Sequence, residues 1–476
     1  MTQENTSNND TGVWNNVITA LPEKEIFEAI MALAQPLDFR TLSKLPDKEK
    51  LRYHDYLVGV INEIIRLSQY VRYGLTYHNG CIYVFNKMYW SRIREKTFKD
   101  FLGRAAQKMG AGYAIAQHFK FKDNLYDQFI SASDHPNSDL PKKSVLISLK
   151  NGTFDVGLES QFLREPRDED FLTYQLPFKF DKDATCPMFI EFINKVLPDG
   201  ELQAVLAEFI GSLFISTKQL KLEKALLLYG DGANGKSVVF EIVNALLGRE
   251  NVSNFPLQNL TDKDGYYRAM MANKLLNYSS EINNKMDRAL FKQLVSGEPV
   301  PARLPYKPPF TIEDYAKLIF NTNELPKDVE TTNAYFRRLL IIPFLVTIPD
   351  GQQDKELAKK IIQSELSGIF NWVLEGVKRL LKNKSFTYSE IINNAVNEYK
   401  KQSDPVLLFI EEIELKKSLD KHITLASLTQ EYKKFSTELG FRSINNGALS
   451  TRLKKIGFEI IRRGDGNVVY ATKKMF

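Results

Sequence analysis

Gly230-Asp231-Gly232-Ala233-Asn234-Gly235-Lys236-Ser237 has the form G-x-x-x-x-G-K-[ST]. Each residue type has a chemical reason to be there. Glycines let the backbone wrap closely around phosphates with its N–H groups turned inward. Lys236 places a point charge on the β- and γ-phosphates, and Ser237 offers a hydroxyl to Mg²⁺. The apolar run Ala225–Tyr229 predicts a buried strand entering the loop. Ser237–Leu247, stopped by Gly248, predicts a helix whose positive dipole end faces the phosphates. A chance Gly-rich turn would require neither flank.

A phosphate loop names a nucleotide but not a task. The following residues narrow the choice. Lys274–Glu281 reads as a buried strand ending in an acid. A carboxylate beside the loop can hold Mg²⁺ or polarise an attacking water; the bland reading is a surface glutamate after a strand. Lys317–Pro326 (KLIFNTNELP) contains a second apolar strand ending at Asn323. Its amide both donates and accepts, so it can sense the γ-phosphate and orient water, although Asn also suits a plain turn. Arg337 and Arg338 then precede a third strand, LLIIPF. An arginine reaching across a subunit boundary can neutralise charge on a transferred phosphoryl group, and structural ion pairing is the alternative.

The order of phosphate loop, acid-terminated strand, Thr-Asn strand and Arg-Arg within Gly230 to Arg338 resembles the superfamily 3 helicases. More specifically it resembles the helicase half of phage, plasmid and poxvirus primase-helicases. FKQLVSGEPVPARLPYKPPF and NELP are family-like. Upstream, LISLKNGTFDV, FLTYQLPFKFDKDATCPMFIEFI and LAEFIGSLF look like the domain preceding the helicase, and SELSGIFNWVLEGVKRL looks like the helical lid after it. The likeness covers about residues 70–476. It implies a homo-hexameric ring, ATP with Mg²⁺ between subunits, and movement along a single DNA strand. It matches Lys236 and Ser237 to nucleotide and metal, Glu281 to the Walker B acid, Asn323 to the sensor, and Arg337 or Arg338 to a finger acting in trans. It also implies a channel hairpin over Arg303–Pro309 that touches DNA, with Arg303, Tyr306 and Lys307 suited to stacking and phosphate contact. Pro305, Pro308 and Pro309 would equally mark a surface loop.

There are departures. Ser280 stands where many such enzymes carry a second acid, so Glu281 would bear both roles, and Gly297-Glu298 replaces the more usual Gly-Asp. No primase domain is legible. Asp168/Asp170 and Asp181/Asp183 sit in turn-like stretches and read as solvated loops. Priming would then fall to a separate protein.

The fold class that follows is α/β: a P-loop, AAA+-like ATPase core, a helical or mixed N-terminal region and a C-terminal winged helix. The expected divisions are a disordered tail (1–20), a helical region (21–69), an α+β domain (70–218), the ATPase core with its lid (219–400), and a winged helix (405–476) reached through a hinge at Ser403-Asp404-Pro405. The strands of the α+β domain turn at Asn79-Gly80 and Asn151-Gly152. The helical region could be an oligomer collar or a partner-docking arm.

The last segment reads as three helices and a hairpin turning at Asp465-Gly466. From Gly440 onward eight Lys/Arg face two acids, in a chain of formal net charge +6. A winged helix would set Arg452, Lys454 and Lys455 in a major groove and Arg462 and Arg463 on the backbone; protein contact is the other use of such a domain. Two distant cysteines, Cys81 and Cys186, exclude a disulfide framework and a cysteine zinc site, and fit a reducing compartment. No apolar run approaches the roughly 20 residues of a membrane span, and the polar N-terminus is unlike a signal peptide. The expected location is a bacterial host cytoplasm or a viral replication site.

Two functions remain in view. The first is a motor that unwinds single-stranded and forked DNA. The second is an origin-binding initiator for which ATP is an assembly switch. They share every ATP residue and separate at Tyr306 and Lys307, which only a motor needs.

Overall fold

The computed structural model describes residues 20–46, 49–78, 80–133, 144–280, 282, 286–306, 308–326, 332–441, 443–464 and 466–474 of the 476-residue chain. Most of the tail expected over 1–20, and Asn79, Glu281, Lys307, Arg442 and Asp465, lie outside the described residues. The chain divides into two compact units. One holds the described residues up to Thr185 with Leu246–Gly248 and Leu366–Asn371, and the other holds the rest.

In the first unit, helices Glu23–Leu33 and Tyr53–Tyr70 carry apolar residues at helical spacing. They pack with an antiparallel sheet (Leu75–His78, Cys81–Phe85, Trp90–Ile93) and with helices Glu95–Lys108 and Phe119–Ala132. The division expected at residue 70 does not separate cores. Ile61, Ile64 and Leu67 share one cluster with Ile82, Val84, Phe98 and Phe129, and Phe27 stacks on Phe101 at 4.2 Å. A helix with this much apolar surface must bury it against something, and the following sheet and helices are what it meets.

A second antiparallel sheet follows (Val145–Leu149, Gly152–Val156, Gln161–Arg164). Here Asp170 departs from the expected solvated loop. It is buried and takes a two-pronged contact from the Arg164 guanidinium at 2.7 and 2.8 Å, a geometry that offsets its desolvation. Asp168 remains in a short helical turn beside it.

The second unit is built on a five-stranded parallel sheet. Its strands in chain order are β1 (Ala225–Tyr229), β2 (Val252–Ser253), β3 (Leu276–Ser279), β4 (Lys317–Thr322) and β5 (Leu339–Pro343), and their order across the sheet is β5-β1-β4-β3-β2. β1 and β5 are unbroken apolar runs because both faces of a parallel sheet are covered. The expected boundary near 218 moves to Cys186. Helices Pro187–Val196 and Gly200–Ser212 belong to this unit, and Lys317 at the start of β4 donates to the Ser212 and Ile215 carbonyls. Those carbonyls end a helix and need a donor.

Helices Glu390–Gln402, Pro405–Glu412, Leu425–Glu438 and Asn446–Ile456 complete the unit, with strands Ile423–Thr424, Ile460–Arg463 and Gly466–Val469 in one antiparallel sheet. Phe409, Leu428, Tyr432, Leu449, Leu453 and Val469 form their shared core. The expected hinge at 403–405 is a packed junction instead. Ser403 and Asp404 are buried, and the Asp404 carboxylate caps helix Pro405–Glu412 by accepting from the Val406 and Leu407 N–H groups. No described helix is long and apolar enough to cross a membrane.

Candidate functional site

The loop Gly230–Ser237 leaves the carboxyl end of β1 and opens helix Lys236–Leu247. Two of its glycines are needed for shape. Gly230 has φ 153°, and a Cβ there would lie 2.3 Å from the Phe344 carbonyl oxygen. Gly235 has φ 87°, and a Cβ would press on Val196 and Phe192. Around Gly232 the space is open, and Asp231, Gly232, Ala233 and Ser237 are exposed.

Lys236 is buried, and its ammonium donates to the Gly230 carbonyl (2.6 Å), the Asp231 carbonyl (2.8 Å) and Asn234 Oδ1 (2.9 Å). Burial pulls its pKa below the ordinary lysine value, with Asp231 opposing the shift. The other end of the Asn234 amide donates to the Phe344 carbonyl at 3.0 Å, and the Ile348 N–H donates to the Ala233 carbonyl at 2.7 Å. The chain just after β5 therefore straps the loop from outside. A concave backbone loop at a helix start, with a cation inside it and open space at one lip, fits a polyphosphate and its Mg²⁺.

The candidate partners arrive on neighbouring strands. β4 runs beside β1, with Thr322 in register with Tyr229, and the Gly230 N–H donates to the Thr322 carbonyl at 3.2 Å. Asn323, the next residue, is exposed beside the first glycine of the loop. β3 lies on the far side of β4 and ends at Ser279, opposite Phe320. Glu281, two residues on, is outside the described residues. Binding at the carboxyl edge of a parallel sheet is the general rule for open α/β folds.

A buried relay behind this edge was not foreseen. The Tyr278 hydroxyl donates to Asn321 Oδ1 at 2.9 Å, and Asn321 Nδ2 lies 3.4 Å from the Lys236 carbonyl. Phe240 meets the Tyr278 ring edge-on at 4.7 Å. Asn321 is a polar residue directly after the apolar run Leu318–Phe320 of β4, which ends at Thr322 just before Asn323; that interruption was the available signal. Tyr278 gave none, because an aromatic in an apolar strand reads as core.

The paired arginines separate. Arg338 is buried; its Nε and Nη2 donate to Ser296 Oγ at 3.1 and 2.9 Å, and its Nη1 to the Ala334 carbonyl at 2.7 Å. Arg337 is exposed, 3.8 Å from the Glu223 carboxylate, and its carbonyl accepts from Lys224 Nζ at 2.5 Å. The structure does not bring either arginine to the phosphate loop of its own chain; they stand at the entry of β5, while the loop is strapped near its exit.

Val300–Arg303 and Pro309–Ile312 pair antiparallel, Arg303 opposite Pro309. Tyr306 sits at the connecting turn in the left-handed region (φ 60°), fully exposed. Arg303 is exposed and Lys307 is outside the described residues. Buried Arg268 anchors the base, donating to the carbonyls of Pro301 (2.8 Å), Leu260 (2.9 Å) and Asp262 (2.6 Å).

Near the C-terminus, Lys454, Lys455, Arg462 and Arg463 are exposed. Arg463 also donates to the Tyr470 hydroxyl at 2.5 Å. Arg452 differs from the expected DNA contact: its guanidinium is paired with buried Asp404 and so holds the helix cap of its own chain.

Residues 65–198 match the family described as D5 N terminal like, and residues 228–338 match a family of unknown function, DUF5906. Three viral proteins, each named a putative helicase, are similar to the chain. That of Acanthamoeba polyphaga mimivirus is 25% identical over 260 residues, covering 50% of this chain and 26% of its own length. Those of Invertebrate iridescent virus 3 and virus 6 are 24% and 25% identical, covering 60% and 48% of this chain and 34% and 25% of their own. The chain thus spans about a quarter to a third of these relatives. Among solved structures, an apo A form of the NrS-1 C-terminal region aligns with 86% of this chain and 98% of its own, at 13% identity and TM-score 0.47. A strand-bound phosphate loop, a D5 N-terminal-like segment and three viral relatives named putative helicases make the chain similar to viral helicase-type replication proteins.

Proposed function

We propose that the chain is an ATP-driven DNA helicase serving the replication of a phage, plasmid, other mobile element or virus. It acts as a homo-hexameric ring on single-stranded and forked DNA. The observation that carries this reading is the bond from the Gly230 N–H to the Thr322 carbonyl, which sets Asn323 beside the mouth of the phosphate loop. A hydrolase needs a phosphate cradle and a polar group that can orient water next to it.

In this reading the backbone of Gly230–Gly235 and the Lys236 ammonium hold the phosphates, and Ser237 and Glu281 would hold a Mg²⁺ that would supply Lewis-acid stabilisation of their charge. Asn323 orients the attacking water, and Glu281, assigned on sequence alone, accepts its proton. Arg337 is the trans finger, because it is exposed whereas Arg338 is committed within its own chain. Tyr306 at the hairpin tip stacks on bases, with Arg303 and Lys307 on phosphates.

The order helix, strand, helix, helix, hairpin at the C-terminus supports a winged helix, whose exposed Lys454, Lys455, Arg462 and Arg463 face DNA. The setting is the host cytoplasm or a viral replication site. The second reading, an ATP-switched origin-binding initiator, draws on the same basic C-terminal surface.

The test is ATP hydrolysis with and without single-stranded DNA, alongside strand displacement on a forked duplex, for wild type, Lys236→Ala and Tyr306→Ala. A motor loses both activities in Lys236→Ala, and loses unwinding but keeps ATP binding in Tyr306→Ala. Slow, DNA-insensitive turnover without unwinding in wild type would favour the initiator.

A further inference from the structure

Helix Arg288–Ser296 leads straight into the hairpin. Gly297 closes the helix in the left-handed region (φ 66°), the Glu298 N–H donates back to the Gln293 carbonyl at 3.2 Å, and the first hairpin strand begins at Val300. The second leg returns to the same place. Beyond Ile312, the Tyr315 hydroxyl lies 2.7 Å from the Glu298 carbonyl and 3.3 Å from that of Gln293, as their donor. Both legs are therefore fastened to one helix end.

That helix end is held in turn by Arg338. Two of its N–H groups converge on Ser296 Oγ at 3.1 and 2.9 Å, and both residues are buried, Ser296 at 2% exposure. The guanidinium stands at the negative end of the helix dipole, where a cation is favoured. Its third contact, to the Ala334 carbonyl at 2.7 Å, ties it to the short helix Asn333–Phe336 that carries Arg337 at its C-terminus. A packed path thus runs from Arg337 through Arg338 to Ser296 at the helix end, with no exposed loop between Ser296 and Arg338, and the Glu298 and Tyr315 hydrogen bonds carry it on to the hairpin.

We propose that the Ser296–Arg338 contact couples the ATP site served by Arg337 to the DNA hairpin, making Ser296 and Arg338 positioning residues for DNA-stimulated hydrolysis. The proposal rests on the motor reading above. A planar guanidinium forked onto one hydroxyl fixes orientation as well as distance. A shift of the Arg337 turn on meeting phosphate charge therefore moves the helix end, and the hairpin moves with it. Packed elements of this kind pass on discrete displacements, whereas an exposed linker would absorb them.

The experiment uses the full chain and compares ATP turnover with and without a single-stranded oligonucleotide. The variants are Ser296→Ala, Ser296→Thr and the double variant Ser296→Ala/Arg338→Met. The double variant removes both ends of the Ser296–Arg338 contact, so that no buried guanidinium is left without its hydroxyl partner if Ser296→Ala alone fails to fold; the Ala334 carbonyl loses a donor in it. The expected result is that Ser296→Ala keeps its DNA-free rate while the stimulation ratio falls at least about fivefold, the lower end of coupling between distinct sites. The double variant loses stimulation likewise, and Ser296→Thr, which retains the hydroxyl, keeps it. Full stimulation in Ser296→Ala and in the double variant would overturn the coupling role and leave the motor reading standing. A wild type that hydrolyses ATP but ignores DNA would overturn the motor reading and the coupling together.

Discussion

Asn234 joins the phosphate loop to Phe344: its Nδ2 donates to the Phe344 carbonyl at 3.0 Å while its Oδ1 accepts from the Lys236 ammonium at 2.9 Å. The bond to the carbonyl dictates which end of the amide faces the lysine, since a carbonyl can only accept. Asn234 therefore aims Lys236 as well as shaping the loop.

Asn234→Ala removes both bonds. A buried hydrogen bond to a charged group contributes about 1.5–3 kcal/mol, so ATP affinity is expected to fall roughly tenfold or more. Titration with a fluorescent ATP analogue reads this directly, with thermal melting to check the fold. Unchanged affinity would mean that Lys236 finds its position without the strap.

Arg337→Ala is expected to bind ATP normally and to lose about a thousandfold in turnover, the lower range for arginine fingers. Mixing it with Lys236→Ala should restore part of the activity, because mixed interfaces pair an intact loop with an intact arginine. A mixture as inactive as its components would count against action in trans. Arg338→Ala is expected to lower stability, through Ser296 and the emptied site, and to lose DNA stimulation of the remaining turnover.

Arg268→Met leaves the carbonyls of Leu260, Asp262 and Pro301 without their common donor. The cost is about 1–3 kcal/mol, felt at the hairpin base. Strand displacement should fall further than DNA-free ATP turnover; an equal loss in both would point to general destabilisation instead.

Lys317 offers a test of pH dependence. Burial pulls its pKa down to about 7, against roughly 10.4 in an unfolded chain. Between about pH 7 and about pH 10.4 the unfolded chain holds the extra proton, so this group adds stability as pH rises through that window. Below it both states are charged and the full cost of burying the ammonium remains. Lys317→Met removes this dependence. Its melting temperature relative to wild type should be highest below pH 7 and decline toward pH 10, and a pH-independent difference would contradict the assignment.

The sequence by itself determined the local devices. The phosphate loop was legible because its glycines and lysine encode a backbone shape within eight residues. β1 and the helix after the loop were legible because an apolar run and a helical period are short-range patterns. The hairpin over Arg303–Pro309 came from the family resemblance, since its prolines alone would equally mark a loop, and the structure pairs Arg303 with Pro309. Tertiary structure decided which residues those devices meet. Arg337 and Arg338 are identical neighbours in sequence, and partners distant along the chain, Ser296 for Arg338 and Glu223 for Arg337, tell them apart. Asp170 sat in an apparent loop until Arg164 closed on it. Asp404 and Arg452 likewise belong to each other across a fold that no local period announces. Asn321 and Tyr278 face each other from adjacent parallel strands, and the register that joins them is set by the helices and loops between. Local backbone preference acts over a few residues, whereas the partner of a buried polar group is chosen by desolvation, which takes whatever donor or acceptor packing brings within reach.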